Sequence, residues 1–394
     1  MSESPWRKDF PALSNKQLSY LDSASSCQTP QIVINAIHDY LTNGHGNPHR
    51  GMYSFSENAE KLVSQCRAAV ANLVNASPEQ VALTKSTTES LNLVAHGLKN
   101  NIKDDQTIVV TQTEHHANLL PWQRLSHLTG AKLIMIPIDE RGEISQSWLN
   151  ESTFKHCAVL ACSHVSNLTG VTNPIERMIK LAKSQGAITV VDGAQSIAHQ
   201  QIDFSAIDCD YFAFSGHKIY GPPGIGCLIT KHPEYIEPLT LGGGIVNRVT
   251  NHEYYLTDRI ERLEAGSINM LGVAGLVASL DYFAAIDREQ LQNHEHGLLQ
   301  QARKIIDAEN FKEISHPHSG NILTIASDTF HSHDVASVCA ENNVAVRAGH
   351  HCAQPFLNAL GFKHCVRISF GIYNDESDII RLQKALSQVA QFLA

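Results

Sequence analysis

The chain has 394 residues, 43% apolar and 18% charged, an ordinary balance for a soluble globular protein long enough to bury a large core. Its formal net charge is −9 and it carries no basic block, which argues against a nucleic-acid partner and against an anionic membrane surface. No stretch reaches the roughly 18 uninterrupted apolar residues of a membrane span, and the N-terminal "MSESPWRKDFPALS" lacks a signal peptide's apolar core, so the expected location is cytoplasmic.

From about residue 80 to 230, short β-rich runs alternate with helical patterns. "TKSTTESLNLVAHGL" places Thr87 and Thr88 at the start of an amphipathic helix. Free N–H groups there bind phosphate, although Thr and Ser also cap helices routinely. Strands are expected at Thr107–Thr111, 132–138, Cys157–Ser163, 187–192, Tyr211–Ser215 and Gly226–Thr230, with a helix over 173–186. That alternation indicates an α/β domain with a mostly parallel central sheet. From about residue 285 a long polar helix, short strands and a last helix suggest a smaller α+β domain. The expected division is an N-terminal segment 1–20 packing with the small domain, a large domain 21–284, and a small domain 285–394.

Four polar clusters follow predicted strands: "TEHHAN", "SHVSNLTG", "DGAQS" and "SGHK". In open α/β sheets, ligands bind beyond the carboxyl ends of the strands. Turn chemistry accounts for any one cluster; four on one rim indicate a site. Lys218, where an apolar strand meets the loop "GPPGIG", suits Schiff-base chemistry, because burial lowers an amine's pKa. A carboxylate would then serve to keep the ring nitrogen of pyridoxal phosphate protonated, and Asp192, capping "AITVVD", has the context for it.

Other cofactors fit less well. There is no G-x-x-x-x-G-K-[ST] loop, and "GPPGIG" does not open a helix in the dinucleotide pattern. His115–His116, His331/His333 and His350–His351 lack an H-E-x-x-H frame, and adjacent histidines on a strand point to opposite sides, so no metal centre is expected. The nine cysteines are odd in number and include no C-x-x-C pair, which argues against a disulfide framework or a cysteine zinc site. All but Cys352 read as small buried hydrophobes. Cys352 lies in "VRAGHHCAQPF" between Gly349 and Pro355, a loop context, with Arg347, His350 and His351 expected to favour its thiolate.

"VDGAQ", "FSGHKIYGPPGIG", "TEHHANLLPW", "HVSNLTG", "STTESLNLVA" and "RAGHHCAQP" together resemble the cysteine desulfurases of the class-V aminotransferase group. The nearest branch is the one with a short cysteine loop, which includes the cysteine sulfinate desulfinases. The resemblance runs from "YLDSAS" near residue 20 to "VRISFGIYN" near 373. It implies the pyridoxal-phosphate-dependent transferase fold of type I, with a large cofactor-binding domain and a small C-terminal domain carrying the cysteine loop. By the same resemblance, Lys218 carries the cofactor, Asp192 pairs with its ring nitrogen, Gln195 lies near its phenolic oxygen, and His115 stacks on its ring. Asn167 touches cofactor and substrate. Thr87, Thr88, Ser215 and His217 cradle the phosphate. Arg367 clamps the substrate carboxylate, and Arg50 and Arg347 join it as substrate-binding candidates.

The group is dimeric, and its "EAG-T-P-N" motif supplies a hydroxyl to the partner's phosphate site. Here "EAGSIN" puts Ser267 for Thr and Ile268 for Pro, which keeps the hydroxyl and loses a fixed φ. Lys85, where an Arg-Gly pair is usual, and the polar "NHEYYLTDRIERL" are further departures. The implied reaction converts L-cysteine to L-alanine, with a persulfide on Cys352 and sulfur transfer to an acceptor protein. Iron–sulfur cluster assembly, a transfer protein and tRNA thiolation are all compatible destinations. Two competing readings are selenocysteine lyase or cysteine sulfinate desulfinase as the main activity, and a non-catalytic homologue acting as a sulfur-trafficking partner.

Overall fold

The computed structural model describes residues 3–13, 18–48, 51–309 and 311–393. Its central sheet has seven strands: β1 (Val81–Thr84), β2 (Thr107–Thr111), β3 (Lys132–Ile136), β4 (Cys157–Ser163), β5 (Ile188–Asp192), β6 (Tyr211–Ser215) and β7 (Gly226–Thr230). Their spatial order is β1-β7-β6-β5-β4-β2-β3. The run β6-β5-β4-β2-β3 is parallel, and β7 is antiparallel to both β1 and β6. The edge strand β1 was not among the expected strands.

Both faces of this sheet are covered, so its strands are apolar throughout rather than alternating. Val109, Leu160, Val191 and Phe212 pack into a core on one face. Ile108, Val159, Val190 and Tyr211 enter the core on the other. The helix Ile175–Lys183 buries Ile175, Met178, Ile179 and Ala182, the i, i+3, i+4, i+7 stripe of a helix with one side in the core. The apolar helix Met270–Ala284 packs against Gln31–Asn43 and Ser54–Val74.

A four-stranded antiparallel sheet lies in the C-terminal part: β8 (Lys312–Glu313), β9 (Ile322–Ala326), β10 (Arg347–Gly349) and β11 (Cys365–Ser369), in the order β8-β9-β11-β10. It has its own core with the helices Arg288–Ala308, Ser332–Glu341 and Glu376–Leu393. The N-terminal segment reaches it: Ser19–Tyr20 pairs in parallel with Val344–Ala345, and Asp22 bridges to Ser369. Residues 21–25 therefore run along the seam between the two sheets.

The topology puts the ends of β2, β4, β5 and β6 on one rim. Close approach at that rim requires glycine at 226, where a Cβ would meet the Ser86 Cα at 2.7 Å. The start of the helix Thr87–Gly97 is thereby brought against the end of β6.

Candidate active site

A cleft of about 610 Å³ opens at this rim, within the usual size range of small-molecule sites. Its lining includes Thr87, Thr88, His115, Asn167, Asp192, Gln195, Ser215, His217, Lys218, Arg347, Cys352 and Arg367. Twelve residues singled out in the sequence therefore share one cavity. Ser267 does not: it is exposed and lines a different cleft with Lys85, Glu89 and Asn269. Arg50 lies outside the described residues.

Lys218 ends the short turn Gly216–Lys218 that follows β6. Its Nζ donates to the Ala24 carbonyl, which also accepts from Gln195 Nε2 at 2.8 Å. Burial first, and the Arg367 guanidinium second, push its amine down to about 8. Asp192 ends β5 and is buried; its Oδ1 accepts the Ala194 N–H at 2.9 Å. Burial raises its carboxyl to about 6 against the opposing pull of that hydrogen bond and of Lys218.

At the opposite side, Ser86 caps the helix Thr87–Gly97 by accepting the Glu89 N–H. Capping thus falls to Ser86, and Thr87 and Thr88 occupy the first turn. The Thr87 N–H and hydroxyl both meet Ser215 Oγ at 2.8 Å, joining the helix start to the end of β6. His217 Nδ1 lies 3.3 Å from Ser26 Oγ, and burial with the neighbouring Lys218 pushes its imidazole down to about 4. Helix-start N–H groups with hydroxyls beside them are a donor set of the kind that binds anions.

His115 and His116 follow β2, as expected of their cluster, and lie on a turn, so the opposite-sides geometry of a strand does not apply to the pair. His115 caps the short helix His116–Asn118, its Nδ1 accepting the Ala117 N–H at 3.0 Å. That bond leaves the ring proton on Nε2. Burial pushes the imidazole down to about 4, so it is neutral at pH 7.

Arg367, on β11, is 3% exposed. Its Nη1 donates to the Asn167 carbonyl at 2.8 Å and its Nη2 lies 3.4 Å from Asp22 Oδ1. Asn167 Nδ2 donates to the His351 carbonyl at 2.7 Å. Asn167 Oδ1 and Arg367 Nε are buried with no hydrogen-bond partner among the described residues. One acceptor and one cationic donor are thus left for a ligand.

Cys352 is exposed, and the other eight cysteines are buried. His351 and Cys352 both have left-handed φ, 52° and 54°, which non-glycine residues rarely adopt. Two bonds to its carbonyls hold the loop: the His116 backbone N–H to Cys352 at 2.7 Å, and the Asn167 side-chain amide to His351. Of the groups expected to favour the thiolate, His351 is corrected: it is buried and pushed down to about 3, hence neutral. Arg347 stays a cation in electrostatic reach of Cys352, with its Nε and Nη2 edge against Asp22. Sequence reasoning missed Asp22, the Ala24 carbonyl and Glu114. Asp22 and Ala24 lie within the quoted "YLDSAS" and Glu114 within "TEHHAN", so the motifs covered them but their side-chain roles were not read.

Residues 19–382 match the family described as Aminotransferase class-V. The chain belongs to that family. It is 37% identical over 98% of its length and 98% of the relative's to a protein named probable cysteine desulfurase from Vibrio cholerae serotype O1. It is also 37% identical over 98% of its length to a probable cysteine desulfurase of Pyrococcus abyssi, 97% of which is covered. An apo cysteine desulfurase structure from Thermococcus onnurineus superposes with a TM-score of 0.94 at 35% identity, covering 99% of both chains. The cysteine desulfurase CsdA of Escherichia coli, in an S-sulfonic acid form, gives 0.93 at 33% identity over both whole chains. The class-V chain therefore has the type I transferase architecture, with its largely parallel sheet, that the sequence resemblance implied.

Proposed function

We propose that the protein is a pyridoxal-phosphate-dependent cysteine desulfurase that takes L-cysteine to L-alanine and loads the sulfur onto Cys352. The observation that carries this reading is one cleft holding a partly buried amine, a buried carboxyl and the chain's exposed thiol. The donor set fits the cofactor. Lys218 suits its aldehyde carbon, Asp192 its ring nitrogen, Gln195 its phenolic oxygen and His115 its ring face. Thr87, Thr88, Ser215 and His217 suit its phosphate. The partnerless Asn167 Oδ1 and Arg367 Nε leave an acceptor and a cation for bound polar groups.

When bound, pyridoxal phosphate supplies an electron sink for negative charge at the substrate Cα. The chain's own residues do the rest. Arg367 holds the substrate carboxylate, its Nε and Nη2 edge being the one least committed to protein. Lys218, with its amine pushed down to about 8, takes the Cα proton as base. Cys352 takes the substrate sulfur: an S–S bond forms, the substrate C–S bond breaks, and its electron pair stays with carbon. The carbon is protonated, so cysteine and one thiol become alanine and one persulfide. His115, neutral with its proton on Nε2, can hydrogen-bond and orient the sulfur at this step.

We further infer that the protein is a homodimer, in which Ser267 reaches the partner's phosphate site, and that a sulfur-acceptor protein discharges Cys352. Exposed apolar side chains at Ile32, Leu41, Tyr53 and Phe55, with Met52 99% exposed, support a covered surface on that side. Light scattering should return twice the chain mass.

Incubation with cysteine and a thiol reductant tests the activity. Alanine and sulfide should appear in equal amounts, and Cys352→Ala should keep its cofactor and lose both products. No alanine from the cofactor-loaded wild type rejects the reading. Turnover of cysteine sulfinate or selenocysteine that survives Cys352→Ala and far exceeds turnover of cysteine would transfer it to those substrates.

A further inference from the structure

We propose that Glu114 is a positioning residue that sets the His115 imidazole and the seat of the Cys352 loop in the cleft. The inference rests on the desulfurase reading for what His115 and Cys352 do; its geometry stands independently.

Glu114 is 1% exposed and does not line the cleft, yet its carboxyl is met by three elements. Oε1 accepts the Ser163 N–H at 3.0 Å, at the end of β4, and the Thr111 hydroxyl, at the end of β2. Oε2 accepts Asn118 Nδ2 at 2.6 Å. Asn118 closes the His116–Asn118 turn, and its Oδ1 accepts Nε1 of the fully buried Trp122 at 3.0 Å. Ser163 is the register partner of Asp192. The carboxyl therefore ties together two strand ends beside Asp192 and the turn bearing His115.

His115 is fixed from both sides. Glu114 precedes it, and Asn118, held by Glu114, ends the turn that follows. The next residue, His116, donates its N–H to the Cys352 carbonyl at 2.7 Å. A shift of the turn moves the imidazole and the thiol loop together. Burial raises the Glu114 carboxyl to about 8 and the hydrogen bonds from Thr111, Ser163 and Asn118 oppose that rise; with an N–H donor facing each oxygen, the geometry fits the carboxylate, which accepts on both. The titratable groups acting on it are Asp192 and Cys162, both buried. Four donors converge on the carboxyl, the Ser163 hydroxyl at 3.4 Å being the fourth, with an N–H at each oxygen, so an amide in its place turns an NH₂ toward a donor. Glu114→Gln keeps the volume while misplacing the turn.

Two measurements on the cofactor-loaded protein test this. In Glu114→Gln, kcat with cysteine should fall about 10- to 100-fold, with KM and cofactor content unchanged. In a His115→Ala background the same substitution should cost clearly less than in the wild type, because one of the two groups through which it acts is gone. Separately, without substrate, iodoacetamide should label Cys352 at least about threefold faster in Glu114→Gln, its loop having lost its seat. A full kcat loss that persists in the His115→Ala background, or an unchanged labelling rate, overturns the proposal. Should the wild type make no alanine, the desulfurase reading fails, and the labelling rate alone decides the role of Glu114. Glu114→Asp serves as a second variant if Glu114→Gln unfolds, with the same expected signs.

Discussion

Arg347 lays one edge of its guanidinium against the carboxylate of Asp22, with Nη2 2.7 Å from Oδ2 and Nε 3.1 Å from both oxygens. Asp22 also lies 3.4 Å from the buried Arg367, so one carboxylate serves two cations across the seam between the sheets. In Asp22→Asn the two guanidinium groups repel without a counterion. Loss of one partner from a fully buried pair costs several kcal/mol, but the Arg347 side chain is 49% exposed, so about 1–2 kcal/mol is expected. If Arg367 holds the substrate carboxylate as proposed, that carboxylate replaces the missing charge. Urea unfolding should show Asp22→Asn less stable than wild type and stabilised more than wild type by added alanine. Equal responses to alanine would refute this.

Lys218 has a titration that can be followed directly. Its amine is pushed down to about 8 from 10.5, so the neutral, nucleophilic form dominates above pH 8. Capture of pyridoxal phosphate by the apoprotein should accelerate with pH through a midpoint near 8. Arg367→Ala removes a neighbouring cation and should move that midpoint upward. Between about pH 8 and 10.5 the unfolded lysine holds a proton that the folded one has lost, so this group's contribution to stability rises with pH across that window. A stopped-flow midpoint that stays near 10.5 would show that burial does not tune the amine. Borohydride reduction and peptide mapping should place the adduct on residue 218.

Most of the rim was legible because parallel strands announce themselves. Runs such as "CAVLACS" and "YFAFS" are buried on both faces, and the polar cluster after each sits at its carboxyl end. The edge strand Val81–Thr84 was not, since four residues carry too little pattern and its partner Gly226–Thr230 runs antiparallel to it. The setting of the thiol was legible only in part. Arg347 and His351 are neighbours of Cys352 in sequence, but burial neutralises His351, and Asp22, 325 residues before Arg347, shares the cation that remains. Glu114 escaped notice because it faces away from the cleft and acts through Asn118 and Ser163.

Cys352 should be the single reactive thiol of the folded chain. The other eight cysteines are buried, and burial pushes the thiols of Cys27, Cys66, Cys157, Cys339 and Cys365 up to about 12. Brief iodoacetamide treatment at pH 7.5 (about one unit below the ordinary thiol value) should add one label, mapped to residue 352. In denaturant all nine should react. A second rapid label in the native protein would point to a buried site that opens.

Arg67 and Glu264 form a buried pair, Nη2–Oε2 at 2.6 Å and Nη1–Oε1 at 2.8 Å. Glu264 also accepts the Leu83 N–H, and Arg67 donates to the Val81 carbonyl, so the pair fastens the edge strand β1 to the segment that leads to Ser267. Arg67→Met leaves Glu264 ionisable and unpaired in the interior, a change that costs about 3–5 kcal/mol. Arg67→Met with Glu264→Leu removes both charges and should regain most of that stability. If the Ser267 hydroxyl completes a phosphate cradle in the partner, Arg67→Met should also weaken retention of pyridoxal phosphate during dialysis, while the paired apolar exchange restores folding better than retention, because β1 then lacks the carboxylate that anchors Leu83. Denaturation midpoints of the three proteins, with cofactor content after dialysis, check both parts. A single variant as stable as wild type would mean that the pair contributes nothing to holding this edge.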